Sequence, residues 1–197
     1  MRKNTSTTRR KFIKTTALGM AGIVGTSSTA SAAGSSLLQV TGSSSTSSRY
    51  VVKNTYGSFY EDSGIEDADY AGDRVVGTMY QKRDQYTYDG KVSYLNVADG
   101  LSGSDPKIHI NIDYNNYVTI KTDNGAKWDY SFVTHSSIMK GDKAESGDTI
   151  RESNGEYIVE GQILGGRVDN FYFPNSLNVI DFTVSSESGN HVSFNLL

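Results

Sequence analysis

Between Lys107 and Tyr114 the chain reads KIHINIDY, and Ile108, Ile110 and Ile112 fall at every second position. The same alternation recurs in YVTIKT, with Val118 and Ile120, and again in VIDFTV and HVSFNL. A period of two places apolar side chains on one face of a pleated strand. Asp-Gly, Asn-Gly and Ser-Gly pairs separate these runs, and no segment carries a long helical period. Short strands at regular spacing predict an all-β chain folded as an antiparallel β-sandwich.

The pattern also repeats at long range. GDRVVGTMYQKRDQYTY (72–88) and GEYIVEGQILGGRVDNFYF (155–173) share a Gly-acid start, a β-branched pair and an Asp-x-aromatic-x-aromatic end. Leu38, Val40, Tyr50 and Val52 precede Val118, Ile120, Tyr130 and Phe132 by 80 positions. Gly77 meets Gly161 at 84, Tyr86 and Tyr88 meet Phe171 and Phe173 at 85, and Ile108-x-Ile110 meets Val192-x-Phe194 at 84. Val92 and Leu95 are matched with Leu177 and Ile180, also at 85. Register kept through so many apolar pairs predicts two tandem ~80-residue β-sandwich units, or one larger sandwich fused from both. The expected layout is a leader over 1–32, a first repeat over 33–113 and a second over 114–197. Strands of the second repeat are expected near 117–121, 128–134, 148–151, 156–163, 169–173, 177–184 and 190–195. Positions apolar in both repeats are the expected core.

The leader has its own logic. MRKNTSTTRRKFIK carries six cations, a short apolar run follows from Ala17 to Val24, and Ala30-Ser31-Ala32 forms an A-x-A cleavage site. This is the layout of an export signal, with an apolar run too short to span a bilayer. Arg9-Arg10 followed by Lys11-Phe12-Ile13-Lys14 resembles the twin-arginine motif, an address read by an export receptor. The expected location is therefore extracellular or at the cell surface, with no transmembrane segment in the mature chain.

Removing the leader takes six of the 19 Lys and Arg and none of the 22 Asp and Glu, so residues 33–197 keep 13 cations and a formal charge of −9. An acidic exported chain is a poor ligand for nucleic acid or an anionic membrane. With no cysteine there are no disulfides and no thiolate metal site.

The second repeat, from VTIKTDNGAKWDYSF to GGRVDNFYFPNSLNVIDFTV, resembles a β-domain common in exported haloarchaeal proteins. The positions that carry the resemblance are Val118, Ile120, Tyr130, Phe132, Ser146, Gly147, Asp148, Ile150, Gly165, Gly166, Asp169, Phe171 and Phe173. The first repeat is less similar, with Tyr80-Gln81 in place of the glycine pair. The resemblance implies an accessory or surface β-module, often found with polysaccharide-active proteins, and it supplies no catalytic residues to carry over.

Candidate chemistry is sparse. His109, His135 and His191 have no ligand-like spacing, and no G-x-S-x-G nucleophile motif occurs. The expectation is therefore no catalytic residue and no cofactor, with calcium as the one candidate ion. Its oxygen ligands would come from Asp62, Glu66, Asp67 and Asp69 in the acidic stretch YEDSGIEDADYAGD. Asp142, Glu145, Asp148 and Glu152 occupy the corresponding region of the second repeat. Aromatic residues without an aromatic counterpart in the other repeat are the remaining signal: Trp128, Tyr172, Tyr114 and Tyr117. Rings outside the core suit stacking on sugars or on a partner, while paired rings can also simply stabilise a sheet.

These observations point to a secreted or surface-associated, non-enzymatic binding module for a polysaccharide or a cell-envelope component. Two competing readings are a secreted antimicrobial protein of the halocin kind and a secreted hydrolase.

Overall fold

A computed structural model describes residues 36–43, 47–61, 69–114, 117–123, 125–174 and 179–196. The first repeat supplies β1 (Ser36–Gly42), β2 (Ser48–Thr55), β3 (Phe59–Glu61), β4 (Asp69–Ala71), β5 (Arg74–Met79), β6 (Arg83–Tyr88), β7 (Lys91–Ala98) and β8 (Lys107–Asp113). The second supplies β9 (Tyr117–Thr122), β10 (Lys127–Thr134), β11 (Met139–Lys140), β12 (Thr149–Ser153), β13 (Glu156–Leu164), β14 (Val168–Tyr172), β15 (Val179–Ser186) and β16 (His191–Leu196). No helix occurs among the described residues, and so none is long and apolar enough to cross a membrane. Every strand pairing is antiparallel.

One sheet, called here sheet A, runs β12-β13-β10-β15-β16-β1-β6-β3. Sheet B, read from its other edge, runs β4-β5-β2-β7-β8-β9-β14-β11. Exchange each strand for its counterpart eight places along the chain, and one order becomes the other. Each repeat therefore gives five strands to one sheet and three to the other. The repeats join edge to edge twice, through β1–β16 in sheet A and β8–β9 in sheet B. The two sheets are thus continuous through both halves, in the fused form of the sandwich.

Strand registers reproduce the repeat at single-residue precision. Tyr50 faces Gly77 across β2–β5, and Tyr130 faces Gly161 across β10–β13. Register shifts fall between Lys53 and Asn54 in one repeat and between Val133 and Thr134 in the other, 80 positions on. One sequence match needs correction. Asn54 pairs with Val92 and Thr134 with Val179, while Val52 pairs with Leu95 and Phe132 with Phe182. The true counterparts of Val92 and Leu95 are thus Val179 and Phe182, at 87 rather than 85. The alternation tolerates a two-residue slip because its period is two. The short edge strands β3 and β11 were not expected, since two or three residues are too few to show a period.

Inner faces of both sheets contribute to a single core. Tyr50 and Phe194 meet edge to face across it at 6.2 Å, as do Phe132 and Phe171 at 5.5 Å. Tyr50, Tyr86, Tyr88, Tyr130, Phe132, Phe171 and Phe173 are all buried, as apolar positions shared by both repeats should be.

The core also holds a polar motif in duplicate. The Tyr50 hydroxyl donates to Asp84 Oδ2 at 2.6 Å, and the Tyr130 hydroxyl donates to Asp169 Oδ2 at 3.0 Å. Each ring lies against the glycine opposite it: a Cβ at Gly77 or Gly161 would overlap the tyrosine hydroxyl. The repeats differ in the third member. In the first, the Tyr86 hydroxyl bonds that of Tyr50 at 2.6 Å. In the second, its counterpart Phe171 has no hydroxyl, and buried Asp148 approaches Tyr130 instead. Burial first, then the neighbouring acids, push the hydroxyl of Tyr130 far above its ordinary range, so it stays a donor.

Candidate functional site

β9 and β14 pair in register, Tyr117 opposite Tyr172, Thr119 opposite Asn170 and Lys121 opposite Val168. Val118, Ile120 and Phe171 take the inner positions, so alternation turns Tyr117, Thr119, Val168, Asn170 and Tyr172 outward. These five residues, with Asp142 and Lys143, line a cleft of about 320 Å³. The Tyr117 and Tyr172 rings meet edge to face at 6.2 Å, and each is 39% exposed.

The wall opposite the rings is the segment after β11. It is held by Asn170, whose backbone carbonyl accepts from Gly141 N at 2.8 Å and whose Oδ1 accepts from Lys143 N at 3.0 Å. Asn170 Nδ2 donates to Asp142 Oδ1 at 2.9 Å and reaches the Tyr172 hydroxyl at 3.3 Å. Gly141 is required here, because a Cβ would collide with the Asn170 amide and the Tyr172 ring. The Asn170 hydrogen bond leads the effects that lower the Asp142 carboxyl below its usual range, so it is ionised at neutral pH. The cleft therefore offers two ring surfaces, a carboxylate, a tyrosine hydroxyl and the side chain of Lys143.

The same outer positions exist in the first repeat, where β1 and β6 pair Leu37 with Thr87, Gln39 with Gln85 and Thr41 with Arg83. No ring stands at any of them. The framework is duplicated and the aromatic cleft is not.

Of the four candidate rings, Tyr117 and Tyr172 come together in this cleft, and the other two do not. Trp128 is 1% exposed in β10, inside the core, which corrects the expectation that it lies outside it. It shares its parity with Tyr130 and Phe132, so the alternation turns it inward; its counterpart Ser48 is fully buried as well. Tyr114 likewise continues the inward parity of Ile108, Ile110 and Ile112. It packs partly buried against the core, donates to the Val92 carbonyl at 2.7 Å and lies under the Lys91 ammonium at 4.8 Å. Asn170 and Gly141 had no sequence signal, and Asp142 stood out only among the acids of the second repeat, because their roles here depend on a segment folding back onto β14.

The candidate calcium ligands Asp62, Glu66 and Asp67 lie outside the described residues, and Asp69 is placed in β4 without a described side chain. Leader residues Arg9, Arg10 and Ala32 also lie outside them. Among the described residues no three His, Asp or Glu side chains form a metal-holding group. In the second repeat Glu145 is paired with Arg167, and Asp148 is buried and accepts from Glu145 N at 2.7 Å. His109 Nδ1 lies 2.7 Å from the Tyr94 hydroxyl and its Nε2 lies 3.0 Å from Asp123 Oδ1, while His191 Nδ1 lies 2.7 Å from Ser185 Oγ. His135 is exposed.

Comparison with family models, with curated proteins and with solved structures finds no match to this chain. The functional reading therefore rests on the site itself.

Proposed function

We infer that the protein is a non-enzymatic binding module for a polysaccharide, acting outside the cell or at its surface after export through the leader over 1–32. The observation that carries this reading is the Tyr117–Tyr172 pair: two half-exposed rings in one cleft, present in one repeat and missing from the same positions of the other. Exposed tyrosine rings offer an apolar face to the C–H side of a sugar, and hydroxyl, carboxylate and ammonium groups around them bond its hydroxyls. Small duplicated β-frameworks diverge freely at outward positions, because these do not set the core. An aromatic pair kept against solvent needs a use that core packing does not provide.

The test is retention of the protein on insoluble chitin, cellulose, mannan and xylan and on isolated cell envelopes. Retention lost in Tyr172→Ala and Tyr117→Ala, with unchanged melting temperature, supports the reading. Absence of retention on every support overturns it, as does retention that both variants keep.

A further inference from the structure

Beyond the cleft, the outer face of sheet B is ordered by its registers into rows that cross the strands. One row runs Asn170, Thr119, Asn111, Tyr94, Lys53 and Arg74. The next includes Lys121, His109 and Asn96, and a third includes Lys107 and Arg49. Over the strands from β5 to β14 this face thus carries Arg49, Lys53, Arg74, Lys107 and Lys121, against Asp113 and, at the end of β9, Asp123, which is engaged with His109. On the outer face of sheet A acids outnumber cations: Asp129, Glu156, Glu160 and Asp181 project there, Arg151 and Lys127 are each engaged with a glutamate, Glu160 and Glu187, and Arg83 is the further cation, on β6. Arg49, Lys53, Arg74 and Lys121 form no salt bridge among the described residues, and the Lys53 ammonium stands 5.3 Å above the Tyr94 ring. A chain whose residues 33–197 carry −9 has therefore gathered cations on the same face that holds its aromatic cleft.

We propose that this face binds a linear anionic polysaccharide, one bearing carboxylate or sulfate groups, laid across the strands from the Tyr117–Tyr172 cleft towards β2 and β5. The proposal rests on the sugar-binding reading of the cleft and names the ligand class. Five strand-to-strand steps of ~4.8 Å give a track of about 24 Å, long enough for several sugar units. At one end the rings take a sugar face. Along the track Lys121, Lys53 and Arg74 meet acid groups, and Thr119 and Asn111 between them suit hydroxyls. Charge complementarity fixes the sign of the ligand. Uncharged Thr119 and Asn111 stand among the cations, which suits a polymer whose acid groups alternate with hydroxyls, as those of an acidic polysaccharide do. Asp142 at the ring end suits an uncharged part of a sugar unit there, with the acid groups further along the track.

The test is affinity electrophoresis and calorimetry of the intact protein with alginate, polygalacturonate and heparin. Neutral dextran and xylan, single-stranded DNA and phosphatidylserine vesicles are the comparison probes. The expected result is binding to at least one anionic polysaccharide that weakens steeply with added salt and falls at least tenfold in the Lys53→Gln, Arg74→Gln, Lys121→Gln triple variant. These side chains are exposed, so the variant should keep the parent's melting temperature. Equal, salt-insensitive binding to neutral glycans that the triple variant retains overturns the anionic track and leaves the cleft reading standing. Tighter binding to DNA or to vesicles than to every polysaccharide also overturns it. Failure to bind any glycan removes both readings.

Discussion

Asp99 and Ser186 are counterparts in the two repeats, and they bond to each other: the Ser186 hydroxyl donates to Asp99 Oδ1 at 2.6 Å. They stand 87 positions apart, the offset that relates Val92 to Val179. Contact between equivalent residues places them where the two-fold relation of the repeats passes. The same carboxylate oxygen accepts from the Ser188 hydroxyl and from Asn190 Nδ2, so the end of β7 is tied to the β15–β16 turn across the two sheets.

That junction has a predictable pH response. Burial raises the Asp99 carboxyl, but the donors Ser186, Ser188 and Asn190 outweigh it and leave the group below its ordinary value of 3.8. A lowered folded-state value means stability that is present above the ordinary value and lost as pH falls through the folded one. Asp99→Ala should destabilise the fold by roughly 1–3 kcal/mol at pH 7, because three donors lose their acceptor. The difference from the parent should shrink towards pH 3. Urea unfolding of both proteins between pH 7 and pH 3 checks both statements; a difference constant with pH would refute the second.

Asp169 should respond in the opposite sense. It is fully buried, one oxygen bonded to Tyr130 and the other, Oδ1, without a hydrogen-bond partner among the described residues. Burial, and then the Asp148 carboxyl, push it up to about 6 despite the Tyr130 hydrogen bond. A raised carboxyl keeps its proton in the folded state where the unfolded chain has lost it. Stability therefore falls as pH rises from about 4 through about 6 and stays lower above. Asp169→Asn should remove this slope and leave the variant more stable than the parent at pH 7, by roughly 1–3 kcal/mol for a shift of this size. Thermal melts at pH 4 and pH 7 would show it, and a variant less stable at both would contradict it.

The fold was legible because it is written twice. Pairs such as Val40 and Ile120 constrain each other, and any shared apolar position had to face the core. What the alternation could not supply was the partition of strands between sheets, since Leu38 and Val118 look alike yet lie in different sheets. The cleft was half legible. Tyr172 is marked by its parity against Phe171 and Phe173, whereas Trp128 was judged by the absence of an aromatic counterpart, a criterion its own parity contradicts. The pairing of Asp142 with Asn170 was unreadable because the bond between them spans 28 positions and depends on Gly141 allowing close approach.

The paired glycines give a test of the duplicated core. Gly77 and Gly161 each leave room for the hydroxyl end of a buried tyrosine, and each lies in a strand interior at ordinary backbone angles. The cause is therefore space rather than conformation. Gly161→Ala and Gly77→Ala should each cost about 1–3 kcal/mol by forcing the ring out of place. In Gly161→Ala, Tyr130→Phe on the same chain should recover only a small part of the loss, since it removes the hydroxyl oxygen but leaves the ring carbon that bore it and Asp148 Oδ1, which the methyl meets just as closely. Chemical denaturation of the single and double variants measures this recovery, and full recovery would mean that the hydroxyl alone sets the constraint.

The sharpest separation of framework from site is between Trp128 and Tyr172. Trp128 fills core volume beside Tyr130, and its indole nitrogen has no hydrogen-bond partner among the described residues, so its contribution is apolar packing. Trp128→Ala should therefore cost about 3–5 kcal/mol, enough to threaten folding in a domain of ordinary stability. Tyr172 is half-exposed on β14 and touches mainly Tyr117 and Asn170. Tyr172→Ala should change stability by less than about 1 kcal/mol, as surface substitutions do, yet remove most glycan retention. Parallel melts and pull-downs decide between these roles. A Tyr172→Ala protein that is fully folded and still retained would show that the outward ring serves the sheet and not a ligand.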